Sequence, residues 1–316
     1  MITLFTLTGE GLTVDEEVAP GPLPDNCLWV DVCDPSDEEY AWVQSLYDGE
    51  LPTVDELDEL EYSSRFQIDG EGIRLTSLFP FRQKREAKGL NVSFHLGERY
   101  LMSLRDEEIG ILRLFRGYLR HQRIRPQTPA EILIALLEMK VEVLADQIEH
   151  IYGELERLGR QAMEPDALEE TLRDILQQEN HNDVVRLSLL DTQRSLRNLA
   201  RHLPAQLDVH GHGDDVNEIL RDIDSLNPHT TFIFEKINFL LDAAIGFTNV
   251  AQSKIIKIFS VAAVVFLPPT LIASIYGMNF DVMPELHYQY GYLLAMLLMI
   301  CSALGTYLFF RWRRWL

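Results

Sequence analysis

Residues 255–280 read IIKIFSVAAVVFLPPTLIASIYGMNF, and this stretch governs the interpretation of the whole chain. Its only charged residue is Lys257. At about 1.5 Å per residue, a helix over residues 255–276 is long enough to cross a hydrocarbon core about 30 Å thick. Residues 290–310 form a second apolar stretch, without any charged residue. Two such stretches in tandem predict two membrane spans, because buried helices of soluble proteins seldom reach this length without charges.

The basic residues around the two spans predict their orientation. Lys254 and Lys257 stand at the start of the first span, and the tail over residues 311–316, RWRRWL, follows the second. The connecting loop over residues 277–289 has no Lys or Arg and carries Asp281 and Glu285. Because Lys and Arg accumulate on the cytosolic side, we expect both termini in the cytosol and the loop outside. The N-terminal sequence MITLFTLTGEGL lacks the features of a signal peptide, which agrees with this expectation.

The composition narrows the classes of function. The chain has 316 residues and a formal net charge of -21. A surface that follows nucleic-acid phosphates is basic, so nucleic acid is not an expected partner. The excess of acid fits either a solvated surface or a protein that handles cations. No GxGxxG, P-loop or GxSxG motif occurs, so we expect neither an enzyme nor an organic cofactor.

The chain before the spans is predicted to begin with a cytosolic α/β domain over residues 1–125. Short runs rich in Val, Ile, Phe and Thr predict strands. These strands cover residues 2–7, 28–32, 73–81, 91–96 and 99–104. Ser36 and Glu39 have the spacing of a capping box, which predicts that a helix begins there. Residues 109–120 have the pattern of a basic amphipathic helix.

Residues 126–252 are predicted to form a cytosolic stalk of long helices. Apolar residues recur at helical spacing over residues 130–163, 166–202 and from about 214 onward. The last pattern has no stop before the first span, so a stalk helix should continue into the transmembrane region, residues 253–316. The overall class is therefore α+β/α: an α/β domain, long stalk helices and two membrane helices.

One face of the first span differs from the rest. Small, polar and occasional apolar residues recur every three or four positions, at Ser253, Ile256, Ser260, Ala263, Leu267, Thr270 and Ser274. Such a stripe has two interpretations, a close contact between helices or the lining of a pore. Two spans per chain cannot enclose a pore, so the second interpretation requires several chains around an axis.

The residues available to a permeating ion predict a hard cation. No His or Cys cluster lies on the stripe, so oxygen donors remain. Mg²⁺ prefers oxygen ligands and keeps several waters, so Asn279 from several chains could hold the hydrated ion through its water shell. Asp281 and Glu285 could concentrate cations outside the membrane. Ile256, Phe259 and Leu267 could gate by dewetting.

Several motifs together resemble one family. Tyr276-Gly277-Met278-Asn279 is followed by Met283-Pro284-Glu285-Leu286 and by a second span with a basic, Trp-containing tail. This arrangement resembles the CorA family of magnesium channels. The segments DTQRSL at residues 191–196 and RDIDSLNPH at residues 221–229 are similar to enterobacterial-type members. The resemblance covers the whole chain and implies a bacterial inner-membrane protein.

The resemblance implies a homopentamer with a cytosolic funnel and a pore lined by the first span. Gly277, Met278 and Asn279 would form the selectivity filter. The implied pore-lining positions are Ser253, Ile256, Phe259, Ser260, Ala263, Leu267 and Thr270. Ser253 departs from an asparagine of some members, which leaves open whether a ring at this position replaces an inner amide ring.

The family resemblance also implies the ions. Mg²⁺ is both the substrate and the regulatory ligand, and Co²⁺ and Ni²⁺ also pass. Members close when Mg²⁺ bridges acidic residues of neighbouring cytosolic domains. The candidates for this role are Glu218, Asp222 and Asp224. A solvated helix face is the alternative explanation for these three acids.

Two other functions stay open at this point. A zinc or other divalent-metal exporter of the same two-span superfamily is one, although Met278 is intact here and the zinc branch varies that position. A membrane-anchored sensor or scaffold built on the stalk is the other.

Overall fold

The computed structural model describes residues 1–9, 11–47, 65–68, 72–83, 86–162, 168–202, 213–278 and 289–313. These residues fall into two compact units, Met1–Leu241 and Asp242–Leu316. The first unit contains a sheet, long helices and the beginning of the helix that continues into the second unit. The finer partition into residues 1–125, 126–252 and 253–316 stays a prediction.

Within the described residues, seven strands form one sheet in the order β2-β1-β3-β7-β6-β5-β4. The strands are β1 (Ile2–Thr8), β2 (Gly11–Asp15), β3 (Cys27–Cys33), β4 (Phe66–Ile68), β5 (Gly72–Gln83), β6 (Glu86–Gly97) and β7 (Leu101–Arg105). β3 and β7 run parallel, with Trp29 beside Leu101. The remaining pairs are antiparallel, and the longest is the β5–β6 hairpin.

The helices that the structure describes are α1 (Asp37–Ser45), α2 (Gly110–Arg120), α3 (Pro129–Gln161), α4 (Leu168–His202), α5 (Gly213–Tyr276) and α6 (Gly291–Trp312). The predicted capping box is present at α1, where Ser36 and Glu39 satisfy each other's backbone N–H groups. α3 begins after Thr128, whose side chain accepts from the Glu131 N–H. The predicted α+β/α class is confirmed, with bounds that differ by a few residues.

The sheet has a hydrophobic core on each face. On one face, Trp29 and Phe94 belong to a large cluster that continues through α2, α3, α4 and the first part of α5. On the other face, Val30 and Val32 pack with Val43 of α1 in a smaller cluster. Trp29 and its neighbour Val30 thus point to opposite faces, as the period of a strand requires. Both faces are covered, which explains why every residue of β3 is buried.

A buried ion network fastens α2 to the centre of the sheet. Asp31 forms a salt bridge with Arg105, and both side chains are 0% exposed. Ser103 Oγ donates to Asp31 Oδ1 at 2.6 Å. Arg116 of α2 reaches Asp31 at 2.9 Å and Glu108 at 2.6 Å. Burial would raise the pKa of Asp31, but the charges and hydrogen bonds of the arginines and Ser103 outweigh it and lower the pKa.

A second network joins the sheet to α3 and α4. Asp191 of α4 accepts from Ser77 Oγ at 3.0 Å and from the Leu78 N–H at 2.7 Å. Its other oxygen lies 3.1 Å from Arg65. Lys140 of α3 is fully buried and donates to Ser77 Oγ at 2.9 Å. These bonds hold both long helices to one strand.

Two strands were not predicted from the sequence. β2 and β4 are short strands at the two edges of the sheet. Each is held by pairing with a longer neighbour rather than by a strong pattern of its own. Gly11 begins β2 with φ +120°, a conformation that favours glycine and permits the turn after β1.

Candidate pore helix and acidic cluster

The predicted stripe lies on α5, in the unit Asp242–Leu316. Its members Ser253, Ser260, Ala263, Thr270 and Ser274 are exposed. The apolar members Ile256 and Leu267 are also exposed, to 57% and 64%, and the predicted pore-lining Phe259 beside the stripe is exposed to 71%. The whole predicted set therefore faces away from the rest of its unit.

A different stripe of α5 is shielded. Val261 is buried, and Val265, Pro268, Ile272 and Tyr276 are half-buried. α6 has a matching stripe, with Ala295 buried and Gly291, Met299, Ser302, Thr306 and Phe310 half-buried. The two helices make up the described part of this unit beyond Leu241, so these stripes face each other.

The exposed stripe and the shielded stripe lie on opposite sides of α5. With 3.6 residues per turn, their centres are separated by roughly 150° around the helix axis. The contact between the two helices of one chain therefore does not use the exposed stripe. Both helices are long and apolar enough to cross a membrane.

The structure describes the predicted ion path from Ser253 to Met278 but not its end at Asn279. α5 ends at Tyr276, and the Gly277 N–H still donates to the Ala273 carbonyl at 2.9 Å. A Cβ on residue 277 would lie 3.2 Å from that same oxygen, so glycine allows a close approach there. The backbone N–H of Met278 donates to the Ile275 carbonyl at 3.3 Å. Asn279, Asp281 and Glu285 lie outside the described residues.

The three candidate regulatory acids do not share one face of α5. Glu218 and Asp222 are one helical turn apart and exposed, and both raise the pKa of Glu138 on α3. Burial is the largest cause of that increase, followed by the charges of Glu142, Asp215, Glu218 and Asp222. Asp224 lies elsewhere, because its Oδ1 accepts from Gln193 Nε2 of α4 at 2.5 Å.

The residues around Glu138 form an acidic cluster that we define as Glu138, Glu142, Asp215, Glu218 and Asp222. Sequence reasoning missed three of these residues, Glu138, Glu142 and Asp215. Spacings of three and four along two helices could have indicated two acidic faces, but not that the faces meet. In the described part of the chain, no group of three or more acidic, His or Cys side chains has the geometry of a metal site.

A groove runs beside this acidic cluster. Ile134, Ala135 and Glu138 of α3 line it together with Asp215 and Glu218 of α5. The segment over residues 124–126, with Arg125, also lines this groove. A surface of this kind attracts cations through crowded carboxylates rather than through a finished ligand set.

Fold and candidate site together define a two-span membrane protein with a large α/β and helical unit. Residues 25–314 match the family described as the CorA-like Mg2+ transporter protein. The chain belongs to this family. The family consists of magnesium transporters, so the expectation that the chain is not an enzyme is confirmed.

Individual relatives agree with this assignment. The chain is 42% identical over 322 residues to the magnesium transport protein CorA of Escherichia coli K12, covering 100% of both chains. It is 44% identical over 295 residues to the protein of the same name from Pectobacterium atrosepticum, covering 92% of both. The structure of the CorA magnesium transporter from Methanocaldococcus jannaschii has a TM-score of 0.77 with 20% identity and covers 98% of both chains. That last likeness concerns the fold.

Proposed function

We propose that this chain assembles into a homo-oligomer in which the α5 helices surround a Mg²⁺ channel. The observation that carries this proposal is the exposed stripe from Ser253 to Ser274, which lies opposite the contact with α6. A lipid-facing surface has no need of serine and threonine at regular spacing. Helices of several copies, each turning this stripe toward one axis, would give those residues a common water-filled path. Family membership and full-length identity to magnesium transport proteins support the choice of ion.

Selection of the ion is proposed to occur at the outer end of α5. A ring of Asn279 side chains would hold hydrated Mg²⁺ through its waters, with Gly277 and Met278 completing the filter. Asp281 and Glu285 would concentrate cations in front of it. With both termini in the cytosol, a divalent ion entering gains about 4.6 kcal/mol per 100 mV of membrane potential. Uptake then needs no further energy source.

Five copies per channel, passage of Co²⁺ and Ni²⁺ and closure by cytosolic Mg²⁺ are part of the proposal. For closure, Glu218 and Asp222 are the stronger candidates, because they belong to the acidic cluster. Asp224 is tied to α4 by Gln193, so we propose a structural role for it.

Ion flux into vesicles tests the proposed activity. We expect purified protein in liposomes to carry Mg²⁺ inward under an inside-negative potential, detected by a Mg²⁺ dye inside. Asn279→Ala should abolish selectivity or flux, whereas Asn217→Ala, an exposed amide on α5 far from the filter, should not. Zn²⁺ flux without Mg²⁺ flux would indicate an exporter of the same superfamily instead. A protein that is monomeric in detergent and carries neither ion would indicate a sensor or scaffold.

Two adjacent alanines provide a matched test of the pore lining. Ala263 belongs to the stripe, and Ala262 is also exposed but lies about 100° away around the helix. In a Cys301→Ser background, Ala263→Cys should react with a charged, membrane-impermeant thiol reagent and lose flux. Ala262→Cys should face lipid and stay unreactive. Equal reactivity at both positions would contradict the lining.

A further inference from the structure

A hollow of about 210 Å³ opens where the β5–β6 hairpin meets the long helices α3 and α4. We call it the hairpin hollow and define it by its main lining residues, which are Pro80 and Arg82 of β5, Val143, Asp146 and His150 of α3, and His181 of α4. None of them belongs to the exposed stripe of α5 or to the acidic cluster. At about 30 Å³ for each water, the hollow has room for about seven waters or for one small molecule.

Two opposite charges line the hairpin hollow without pairing with each other. Arg82 and Asp146 are both exposed, and neither forms an ion pair with any residue that the structure describes. The charge of Arg82 also reaches Glu154, but that carboxylate is bound by Arg157 at 2.8 Å. The pKa of Glu154 is lowered mainly by its hydrogen bond to Arg157 and only to a smaller degree by Arg82. The hollow therefore offers one positive and one negative group to a molecule that enters it.

His181 adds a hydrogen-bonding group rather than a charge. Its side chain is almost fully buried, and its Nε2 lies 3.2 Å from Gln147 Oε1. Burial lowers the pKa of His181 to about 4, and the nearby charges of Arg82 and His150 lower it further in the same direction. The ring is therefore uncharged near neutral pH. Its Nδ1 has no hydrogen-bond partner among the described residues and is available to a ligand.

The remaining wall of the hairpin hollow is apolar. Pro80 is buried and Val143 is half-buried, so they present a fixed aliphatic surface. Sites for small molecules commonly combine such a wall with a few charged groups that fix the orientation of the ligand. The matching ligand carries a carboxylate for the guanidinium of Arg82 and an ammonium for the carboxylate of Asp146.

From the two unpaired charges and the apolar wall, we propose that the hairpin hollow binds a small aliphatic amino acid. Its carboxylate pairs with Arg82, its ammonium pairs with Asp146, and its side chain packs on Pro80 and Val143. The hollow is formed by residues of a strand and two helices, so the ligand binds the folded protein and not the unfolded chain. Binding therefore raises the melting temperature.

Three ligands of nearly equal size test the two charges separately. L-Valine carries both charges, isovalerate lacks the ammonium, and isobutylamine lacks the carboxylate. Calorimetric titration and melting of the full-length protein in detergent, at constant ionic strength, measure their binding. We expect L-valine to bind at least about tenfold more tightly than either of the others, because each of them forgoes one charge-assisted hydrogen bond. Isovalerate or isobutylamine binding as tightly as L-valine would overturn the proposal, as would no binding of L-valine.

Substitutions assign each charge of the ligand to a residue. Arg82→Gln should weaken the binding of L-valine and isovalerate, whereas Asp146→Asn should weaken L-valine and leave isovalerate unchanged. Arg160→Gln is the matched control, because Arg160 is an exposed arginine of α3 about 15 Å along the helix from His150. It should bind all three ligands as the original protein does. Equal weakening of L-valine by the control, or unchanged binding in both test variants, would refute the site.

Protection of a cysteine locates the ligand without relying on these variants. In a Cys301→Ser background, Ala87→Cys places a thiol in the lining of the hairpin hollow. Saturating L-valine should slow its reaction with a small maleimide at least about tenfold, and isobutylamine at the same concentration should not. The matched control is Ala135→Cys, because Ala135 is likewise half-buried but lines the groove beside the acidic cluster. Equal protection at both positions, or none at Ala87→Cys, would contradict the proposal. Neither outcome depends on ion flux, so this test and that of the channel can fail independently.

Discussion

Asp31 holds two arginines in the interior of the unit Met1–Leu241. We expect Asp31→Asn to lower the free energy of unfolding by about 3–5 kcal/mol, because it removes the buried counter-charge of Arg105 and leaves only the partly exposed Glu108 beside it. Thermal and denaturant unfolding of the full-length protein in detergent measure the loss. The control is Asp25→Asn, which removes a carboxylate that pairs with Arg99 in full contact with solvent. No measurable change is expected there. An unchanged stability of Asp31→Asn would contradict the importance of the network.

The buried Lys140 is expected to make the stability of the folded protein depend on pH. Burial lowers its pKa to about 7, although the charge of Asp191 acts in the opposite direction. An unfolded lysine keeps its proton up to about pH 10, so between about pH 7 and pH 10 the unfolded state binds more protons than the folded state. The contribution of Lys140 to the free energy of unfolding is therefore most favourable at high pH. It is lost as the pH falls from about 10 to about 7.

Lys140→Met should remove this dependence. We expect the melting temperature of the variant, relative to the original protein, to be higher at about pH 6 than at about pH 9. Comparing the two proteins at each pH cancels the titration of the other groups. A constant difference would show that Lys140 stays charged, helped by the Phe79 ring 4.3 Å from its Nζ and by the nearby Asp191.

One stripe of α6 is shielded from solvent, and it includes a small residue. Ala295 is 9% exposed and belongs to that stripe. Ala295→Leu should overpack the contact and destabilise it by about 1–3 kcal/mol. Cys301→Leu adds a leucine at an exposed position of the same helix and should be tolerated. Melting temperature and flux in liposomes are the measurements. Equal effects of both substitutions would contradict the assignment of the shielded stripe.

The net negative charge of the chain predicts that cations stabilise the folded protein. The individual carboxylates are expected to contribute unequally to this effect. Mg²⁺ that binds the folded protein should raise the melting temperature above the value in NaCl of equal ionic strength. Glu218→Gln with Asp222→Asn should reduce this increase and leave the channel open at high cytosolic Mg²⁺. Asp224→Asn should change neither, because Asp224 is bound by Gln193 outside the acidic cluster. If Asp224→Asn had the larger effect, the division between these acids would be wrong.

Most elements of this protein could be predicted from the sequence, because their signals are local. A capping box at Ser36, apolar spacing along α3 and α4, and two long stretches without charge each depend on residues close together in the chain. The family motif around Gly277 is local in the same sense. The edge strands β2 and β4 escaped prediction because their stability comes from a partner strand.

The meeting of distant residues could not be predicted in this way. A helical period assigns Glu138 and Glu218 each to a face, but only packing of α3 against α5 brings the two faces together. The same holds for Lys140, which reads as an ordinary solvated lysine until β5 and α4 enclose it. The stretch from 255 to 280 determined by its hydropathy and spacing that α5 spans a membrane with one unusual face. Which face of α5 is shielded depended on the position of a second helix, because contact surfaces belong to pairs of elements.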